Sequence, residues 1–177
     1  FTPEIQTFAT SVDISPLLEA RKEYFNALAK QTIAHITLKK SRADLQHLKK
    51  LDRENVITKR KLLTQQSQVE LDQAQYQAEK QHTDNIRLQM QAKWGKVLSD
   101  QFLNDTPPIA DKLKRLYLIY LPAPLNVAPA TLAIHPFGVR EQAQTASLIS
   151  SAAIHTAQFQ QIGAAFYYLA DENMSAY

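Results

Sequence analysis

Glycine, cysteine and long apolar runs are scarce or missing in this sequence. Its 177 residues include three glycines and no cysteine. Three glycines are too few for a dinucleotide-binding loop together with the turns of an α/β enzyme, and too few for an all-β fold with many tight hairpins. Without cysteine there is no disulfide and no thiolate chemistry. No run of about 18 apolar residues occurs, so the sequence predicts no membrane-spanning helix.

The motifs of common catalytic sites are also missing. The sequence contains no G-x-S-x-G, P-loop, G-x-G-x-x-G or H-E-x-x-H motif. No two histidines are four residues apart, so a zinc site would need ligands from distant segments. We interpret Asp13 and Glu19 as capping and dipole groups of a helix start rather than an acid–base pair. We therefore predict a protein that is not an enzyme, with no catalytic residue, no cofactor and no metal. The five histidines are His35, His47, His82, His135 and His155.

Positive charge is concentrated in one segment. The formal net charge is only +3, yet residues 39–61 hold nine basic and three acidic residues, a local charge of +6. Such a patch either binds a partner with negative charge or exposed carbonyl groups, or is a solvated surface. The basic residues are Lys39, Lys40, Arg42, Lys49, Lys50, Arg53, Lys59, Arg60 and Lys61.

The composition divides the chain into a helical part and a β-rich part. Residues 16–104 contain one proline and one glycine and are rich in Ala, Leu, Gln, Lys and Glu, which favour helix. Residues 105–177 contain six of the eight prolines and short runs of β-branched and aromatic residues. We predict an α+β fold in which a helical section, 16–104, precedes a small β-barrel-like domain, 105–177. Residues 1–15 supply one further strand to that domain.

The first helix has a clear predicted start and a seven-residue repeat. Ser15 is a suitable N-cap, and Pro16 suits the first helical position. The repeat predicts a coiled-coil seam rather than the buried face of a globular helix. Its two columns are Leu17, Tyr24, Gln31, Leu38 and Leu45, and Ala20, Ala27, Ala34, Ser41 and Leu48.

A second helix is predicted after a break at residues 52–58, with Thr58 as its N-cap. Two helices of roughly 35 residues joined by a short turn fold back on each other, which gives an antiparallel coiled-coil hairpin roughly 50 Å long. Polar Gln31, Gln81 and Asn85 in the seam are either tolerated near solvent or fix the register. The predicted columns of the second helix are Leu71, Ala78, Asn85 and Ala92, and Ser67, Ala74, Gln81, Leu88 and Gly95.

The β-rich part contains four predicted strands, at residues 116–121, 131–136, 144–150 and 164–170. Residues 109–116 are predicted to form a short helix capped by Thr106. Trp94 and Phe102 are expected to anchor the base of the hairpin against this part. Four or five short strands around a small core suggest a barrel or half-barrel.

Several segments resemble a known family in order and spacing. Residues 11–17 (SVDISPL), which lead into ARKEY at 20–24, resemble the entry to the α-hairpin of periplasmic adaptor subunits, also called membrane fusion proteins. The segment LIYLP at 118–122, PFG at 136–138 followed by 143–150, and QIGAAFYY at 161–168 resemble strands of the adaptor β-barrel. The resemblance covers almost the whole chain, although no lipoyl-like domain is identifiable.

The turn between the helices also resembles the adaptor family. Adaptors carry a tip pattern of arginine, leucine four residues later and serine seven residues after that, which engages the outer-membrane exit duct. Here His47, Leu51 and Thr58 occupy those positions. Our hypothesis adds basic residues that meet carbonyl or carboxylate groups of the duct. The predicted partner-binding residues are His47, Leu51, Arg53, Thr58, Lys59, Arg60 and Lys61.

The resemblance implies a role without chemistry on a substrate. An adaptor links an inner-membrane transporter to an outer-membrane exit duct in a tripartite efflux pump, and adaptors assemble as homo-oligomers, commonly hexameric rings. It implies a periplasmic location, with anchoring to the inner membrane through a segment absent from this chain. Because the sequence begins at Phe1, we expect a processed or engineered fragment. We also expect the β-barrel-like domain to be incomplete at the C-terminus.

Two other functions fit parts of the sequence. A basic antiparallel coiled coil can bind nucleic acid along the phosphate backbone. That function predicts cations spread along one face with aromatic residues among them. Here the charge concentrates near the turn, and no aromatic residue lies between Phe25 and Tyr76, so we expect no nucleic-acid partner. The other alternative is a purely structural spacer.

Overall fold

The computed structural model describes residues 6–104, 114–122, 128–135, 143–152 and 163–171. It has an α+β fold, as predicted, with a long helical region and a curled, half-barrel-like antiparallel sheet. The chain divides into two compact units. The sheet unit comprises Phe1–Arg21 and Gln89–Tyr177, and the helical unit comprises Lys22–Leu88. The elements in chain order are β1 (Ala9–Ser11), α1 (Ser15–Arg53), α2 (Lys59–Trp94), α3 (Lys96–Phe102), β2 (Lys114–Pro122), β3 (Thr131–Ile134), β4 (Gln144–Ser151) and β5 (Gly163–Asp171).

The sheet has the strand order β1-β2-β5-β4-β3, and its pairs are antiparallel. The four strands predicted in the C-terminal part are confirmed with small shifts at their ends. The N-terminal segment supplies β1, which pairs with β2, as expected. The short helix predicted at 109–116 is wrong at its end, because Leu116 lies within β2; residues 109–113 lie outside the described part.

The core of the sheet unit is small and largely aliphatic and aromatic. Its buried cluster comprises Ile119, Leu121, Ala146, Tyr168 and Ala170. The Tyr168 hydroxyl donates a hydrogen bond of 2.8 Å to the carbonyl oxygen of Pro129, so its buried polar end is satisfied. Burial raises the pKa of the Tyr168 phenol. These inward side chains come from β2, β4 and β5, the strands at the middle of the sheet.

Two aromatic residues on either side of Gly95 are buried in the sheet unit, as the sequence predicts. The Trp94 ring lies 6.5 Å from the Tyr167 ring of β5, measured between centroids. Phe102 is fully buried, and its carbonyl oxygen accepts a 2.8 Å hydrogen bond from the Arg21 guanidinium. Trp94 therefore ties the end of α2 to the sheet, and Phe102 ties the end of α3 to the start of α1.

The start of α1 differs in detail from the prediction. Ser15 is the first residue of the helix rather than its cap, and the Asp13 carboxylate accepts a 2.9 Å hydrogen bond from the Ser15 N–H. The carbonyl oxygen of Ile14 accepts the first bonds of the helix, from Leu17 and Leu18. Asp13 is the better cap because a carboxylate is favoured by the positive end of the helix dipole. Hydrogen bonds from the backbone N–H and then the side chain of Ser15 hold the pKa of Asp13 below its ordinary value.

The second helix does not continue to residue 104 as predicted, because the chain breaks at Gly95. Gly95 has φ 82° and ψ 157°, a conformation that is essentially restricted to glycine. α2 therefore ends at Trp94, and the separate helix α3 follows. A seven-residue repeat cannot show this break, since Gly95 occupies a repeat position with correct spacing.

Replacing Gly95 by alanine is expected to destabilise the sheet unit by about 1–3 kcal/mol. The cost comes from the backbone, because an added Cβ would lie 3.5 Å from the Ser151 carbonyl oxygen, an ordinary contact. Urea unfolding followed by Trp94 fluorescence measures it. Ser67→Ala, at an exposed helical position, is the control and should change stability by less than about 0.5 kcal/mol. An equally small change for Gly95→Ala would contradict this backbone conformation.

The buried face of α1 is the predicted one. Ala27, Ala34, Leu38 and Ser41 are buried, and the remaining predicted seam positions are buried or half-buried. Among the described residues, three contacts link α1 to α2, one from buried Ser41 and two from the exposed residues His35 and Arg42. The Gln65 side-chain amide donates to the Ser41 carbonyl oxygen at 3.0 Å, and Arg42 donates to the Gln73 side-chain oxygen. The His35 and Tyr76 ring centroids lie 5.1 Å apart.

The buried face predicted for α2 is wrong. The spacing of seven is present, but all the predicted positions within α2 are exposed, including Gln81 and Asn85, which therefore do not interrupt a seam. The inward face carries more apolar bulk, and burying that bulk releases more free energy than burying alanine and serine. The positions that are buried or half-buried instead include Leu62, Val69, Tyr76, Thr83 and Met90, with Gln65, Asp72, Glu79 and Ile86.

Candidate docking surface at the turn between the long helices

Two backbone hydrogen bonds close the C-terminal end of α1. The Val56 N–H donates to the Leu51 carbonyl oxygen at 2.9 Å, and the Asn55 N–H donates to the Asp52 carbonyl oxygen at 3.0 Å. Asn55 has φ 59°. These two bonds around a left-handed residue define a Schellman motif, in which asparagine is the usual substitute for glycine. The motif satisfies the carbonyl oxygens of Leu51 and Asp52 in the last turn of α1 and fixes the direction of the turn.

α2 then begins at once, with Thr58 as its predicted cap. The Lys61 N–H donates to the Thr58 carbonyl oxygen at 3.0 Å and lies 3.4 Å from the Thr58 hydroxyl. Capping by Thr58 is thus confirmed. Residues 54–58 are the entire connection between Arg53 and Lys59. Local hydrogen bonds therefore close both helix ends and fix the backbone of the turn.

Residues 47–61, here called the turn surface, contain every predicted partner-binding residue. The structure brings these residues together at the end of α1 and the start of α2. His47, Arg53, Thr58, Lys59, Arg60 and Lys61 are exposed, and Leu51 is half-buried.

Sequence reasoning missed one residue of the turn surface. Val56 follows the left-handed Asn55, and its side chain is 65 % exposed. The sequence signal was a β-branched residue after asparagine, which was interpreted only as a break in the helical pattern. A single exposed apolar side chain is common on protein surfaces, so Val56 is a candidate contact only together with the cations on either side of it in the turn surface.

The turn surface is strongly basic. It holds six lysine and arginine residues against Asp52 and Glu54. Among the residues that the structure describes, these six cations form no side-chain hydrogen bond or ion pair. Lys50 and Arg53 lie in the last turn of α1, where the helix dipole favours cations, but Lys59, Arg60 and Lys61 start α2, where each cation costs about 0.3–1 kcal/mol. These three cations destabilise the start of α2, so the stability of the helix does not explain why they are there.

Elsewhere the described residues offer little that suggests chemistry. A shallow groove between α1 and α2 has a volume of ≈ 260 Å³, below the roughly 300–1,000 Å³ of typical ligand pockets. No cluster of three or more potential metal ligands occurs in the described ranges, and no described helix is long and apolar enough to cross a membrane. His135 is exposed, while His155 lies outside the described residues. Residues lining the groove include Lys30, Ile33, Ala34, Thr37, Asp72, Gln75 and Glu79.

No protein-family model matches this chain, and no curated protein matches it in sequence.

Proposed function

We propose that this protein is an adaptor of a tripartite efflux pump, which links an inner-membrane transporter to an outer-membrane exit duct in the periplasm. In this proposal α1 and α2 form an antiparallel coiled-coil hairpin, and the turn surface at its tip docks on the duct. The observation that carries the proposal is the turn surface itself: a closed five-residue connection between two long helices, with an exposed apolar residue among unpaired cations.

The contacts between α1 and α2 support the hairpin. His35 lies by Tyr76, whereas Ser41, later in α1, lies by Gln65, earlier in α2. Partners that move backward along α2 as one moves forward along α1 are typical of helices running in opposite directions. At 1.5 Å per residue the 36 residues of α2 extend roughly 54 Å. A paired structure of that length suits a protein that holds two partners apart.

The charge and shape of the turn surface support docking on a protein. Cations at the start of α2 can donate to carbonyl groups at the end of a partner helix or to its carboxylates. Val56 and Leu51 supply a small apolar centre. Such a contact is too small for tight binding by one chain, so a ring of adaptors would provide avidity. The homo-oligomer implied by the family resemblance is therefore part of the proposal.

A nucleic-acid-binding arm remains the second candidate because of one observation. Lys39, Lys40 and Arg42 are exposed on α1 and lie about one and a half to two helical turns before the turn surface. Cations that continue along a helix could follow a phosphate backbone. The crosslinking experiment described next, together with nucleic-acid binding measurements, distinguishes this function from the adaptor function.

A photo-crosslinking amino acid in place of Val56 is expected to link the protein to an outer-membrane channel protein in its native cells. Val56 is chosen because its side chain is exposed and aliphatic, so its replacement removes no side-chain hydrogen bond. Mass spectrometry identifies the linked protein. The same probe at His82, exposed on α2 far from the turn, is the control and should give no channel product.

The adaptor proposal fails if Val56 links to no outer-membrane protein. Fluorescence anisotropy with random-sequence duplex DNA and single-stranded RNA tests the second candidate directly. Submicromolar binding that weakens steeply with salt, together with no channel product, would establish the nucleic-acid arm instead. Absence of both would leave the structural spacer.

A further inference from the structure

The groove between α1 and α2 combines half-buried carboxylates with apolar side chains. Asp72 and Glu79 of α2 line it and are half-buried, whereas aspartate and glutamate are mostly exposed in proteins. From α1, Ile33 and Ala34 line the same groove. The Ile33 side chain is 65 % exposed, so the packing of the two helices does not cover it. The groove therefore places an uncovered apolar side chain beside two acidic groups, within the helical unit.

Neither carboxylate has a cationic partner among the residues that the structure describes. The Gln68 side-chain amide donates to one oxygen of Asp72 at 2.9 Å, and the Gln75 amide donates to one oxygen of Glu79 at 2.7 Å. Both donors are neutral and lie one helical turn earlier in α2. Partial burial of a carboxylate that has no opposite charge beside it costs free energy. The stability of the helical unit therefore does not explain why these two acids face the groove.

The negative charge of the groove is in excess at its Asp72 end. Of the described lining residues, Lys30 alone is cationic, so one lysine stands against two carboxylates and the net charge is −1. The His35 and Tyr76 rings lie together, and partners run in opposite directions along α1 and α2. Lys30 precedes His35 and Glu79 follows Tyr76, so Lys30 lies nearer Glu79 than Asp72. Asp72 is therefore the carboxylate without a nearby compensating charge.

The opposite helix supplies a further acceptor at the Asp72 end. Thr37 lines the groove and follows His35, just as Asp72 precedes Tyr76, so the two residues lie at about the same level. The Thr37 hydroxyl donates to the Ile33 carbonyl oxygen at 3.0 Å. Its proton is therefore used, and its oxygen can only accept a hydrogen bond from a ligand. A carboxylate and a hydroxyl acceptor together suit a donor that carries positive charge.

We propose that this groove binds a small organic cation, a protonated amine with an apolar body. The ammonium group donates charge-assisted hydrogen bonds to the Asp72 carboxylate and to the Thr37 hydroxyl oxygen. The apolar body lies on Ile33 and Ala34, and removing the Ile33 side chain from water favours binding. This inference uses the antiparallel order of the proposed hairpin but requires neither duct nor transporter.

The volume of the groove limits the size of the ligand. It is ≈ 260 Å³, whereas pockets for drug-sized molecules occupy roughly 300–1,000 Å³. A cavity of about 150 Å³ holds benzene, so this groove has room for one ring and a short chain. The ammonium group of a partner's lysine would be attached to a slender stem that leaves much of the apolar lining uncovered. We therefore assign the site to a free amine.

Binding of 2-phenylethylammonium to the full chain tests the proposal. We expect saturable shifts of the Ile33, Ala34 and Thr37 methyl signals in carbon-13 methyl NMR, with a Kd on the order of 1 mM. The Ala78 methyl, exposed on α2 and not among the described lining residues, should not shift. Neutral 2-phenylethanol has the same ring and chain and should bind at least fivefold more weakly. The anion 3-phenylpropionate should not bind.

Substitutions assign the charge recognition to one residue. Asp72→Asn keeps the shape and an acceptor oxygen but removes the charge, so it should weaken binding of 2-phenylethylammonium at least fivefold. Asp84→Asn, the same change at an exposed position of α2, is the matched control and should stay within twofold. Ile33→Ala should weaken binding several-fold by shortening the apolar wall. Circular dichroism should show equal helix content in all three variants.

Four results would overturn the proposal. The absence of a saturable shift would show that no site exists, and equal binding of the alcohol and the ammonium would show that charge is not recognised. Equal binding by Asp72→Asn and Asp84→Asn would exclude Asp72 as the partner. Tighter binding of Nα-acetyl-lysine methylamide than of 2-phenylethylammonium would favour a lysine of a protein partner over a free amine. Crosslinking of the turn surface to a duct is measured separately, so either proposal can fail while the other stands.

Discussion

Changing Lys59, Arg60 and Lys61 together to glutamate is expected to reduce docking on the exit duct at least tenfold and to stop export. The substitutions turn the turn surface from a net excess of four positive charges into an excess of two negative ones. Contacts to carbonyl or carboxylate groups would then become repulsive. The yield of the Val56 photo-crosslink and the survival of cells that depend on the pump measure the effect.

Loss of folding would not explain such a result. Glutamate in the first turn of α2 meets the positive end of the helix dipole, which favours each substitution by about 0.3–1 kcal/mol at low salt. Thermal unfolding followed by circular dichroism should therefore show equal or higher stability. A variant that loses docking while its helices become more stable separates a binding role from a structural one.

The matched control reverses the same number of charges elsewhere. Lys22, Lys80 and Lys96 are exposed and lie far along the chain from the turn. Their triple change to glutamate gives the same net charge as the tip variant. Docking should remain within about twofold, since screened charges beyond a Debye length of about 8 Å contribute little. Equal losses in the two variants would indicate a general effect of net charge and would contradict docking through the turn surface.

The strands and the first helix could be predicted from the sequence because their positions depend on local patterns of apolar residues and on the residues that bound them. Leu116, Ile119 and Leu121 are buried on β2, and this apolar run is bounded by Pro122, so the strand was placed correctly. The turn was also predictable, because Thr58 suits a helix start and Asn55 tolerates a left-handed backbone.

The face of α2 could not be predicted by spacing alone. Two stripes on that helix repeat every seven residues, and the predicted one consists mostly of small, uncharged residues. The inward stripe contains Asp72 and Glu79, which argue against burial when taken one at a time. Tyr76, Ile86 and Met90 on the same stripe outweigh them, because large apolar side chains gain most from leaving water. The stripe that was predicted to be buried is therefore exposed.

The residues of the candidate site were predicted more completely than its geometry. The family resemblance and the charge run together indicated Leu51, Thr58 and the cations around them. The exposure of Val56 depends on the hydrogen bonds that close α1, and no residue pattern states those bonds in advance. Likewise, Gly95 ends α2 through a backbone conformation that only coordinates reveal.

Tyr168→Ala is expected to cost about 3–5 kcal/mol and to unfold much of the sheet unit, since domains of this size have total stabilities of about 5–15 kcal/mol. Tyr168 is fully buried in β5, opposite Tyr117 on β2 and Leu148 on β4. Removing its ring opens a cavity between three strands, and its neighbours are held by the ladder and cannot collapse into it.

Tyr168→Phe separates packing from hydrogen bonding at the same position. It keeps the ring and removes only the hydroxyl that donates to Pro129, so it should cost about 0.5–1.5 kcal/mol.

Trp94, the single tryptophan, lies by Tyr167 and reports unfolding of the sheet unit by fluorescence, while circular dichroism reports mainly α1 and α2. Phe8→Ala, at a side chain 79 % exposed, is the surface control and should change stability by less than about 0.5 kcal/mol. If Tyr168→Ala cost no more than Phe8→Ala, the buried cluster of β2, β4 and β5 would not be the core of this unit. If the alanine variant lost the tryptophan transition but kept the helical signal, α1 and α2 would be stable without the sheet.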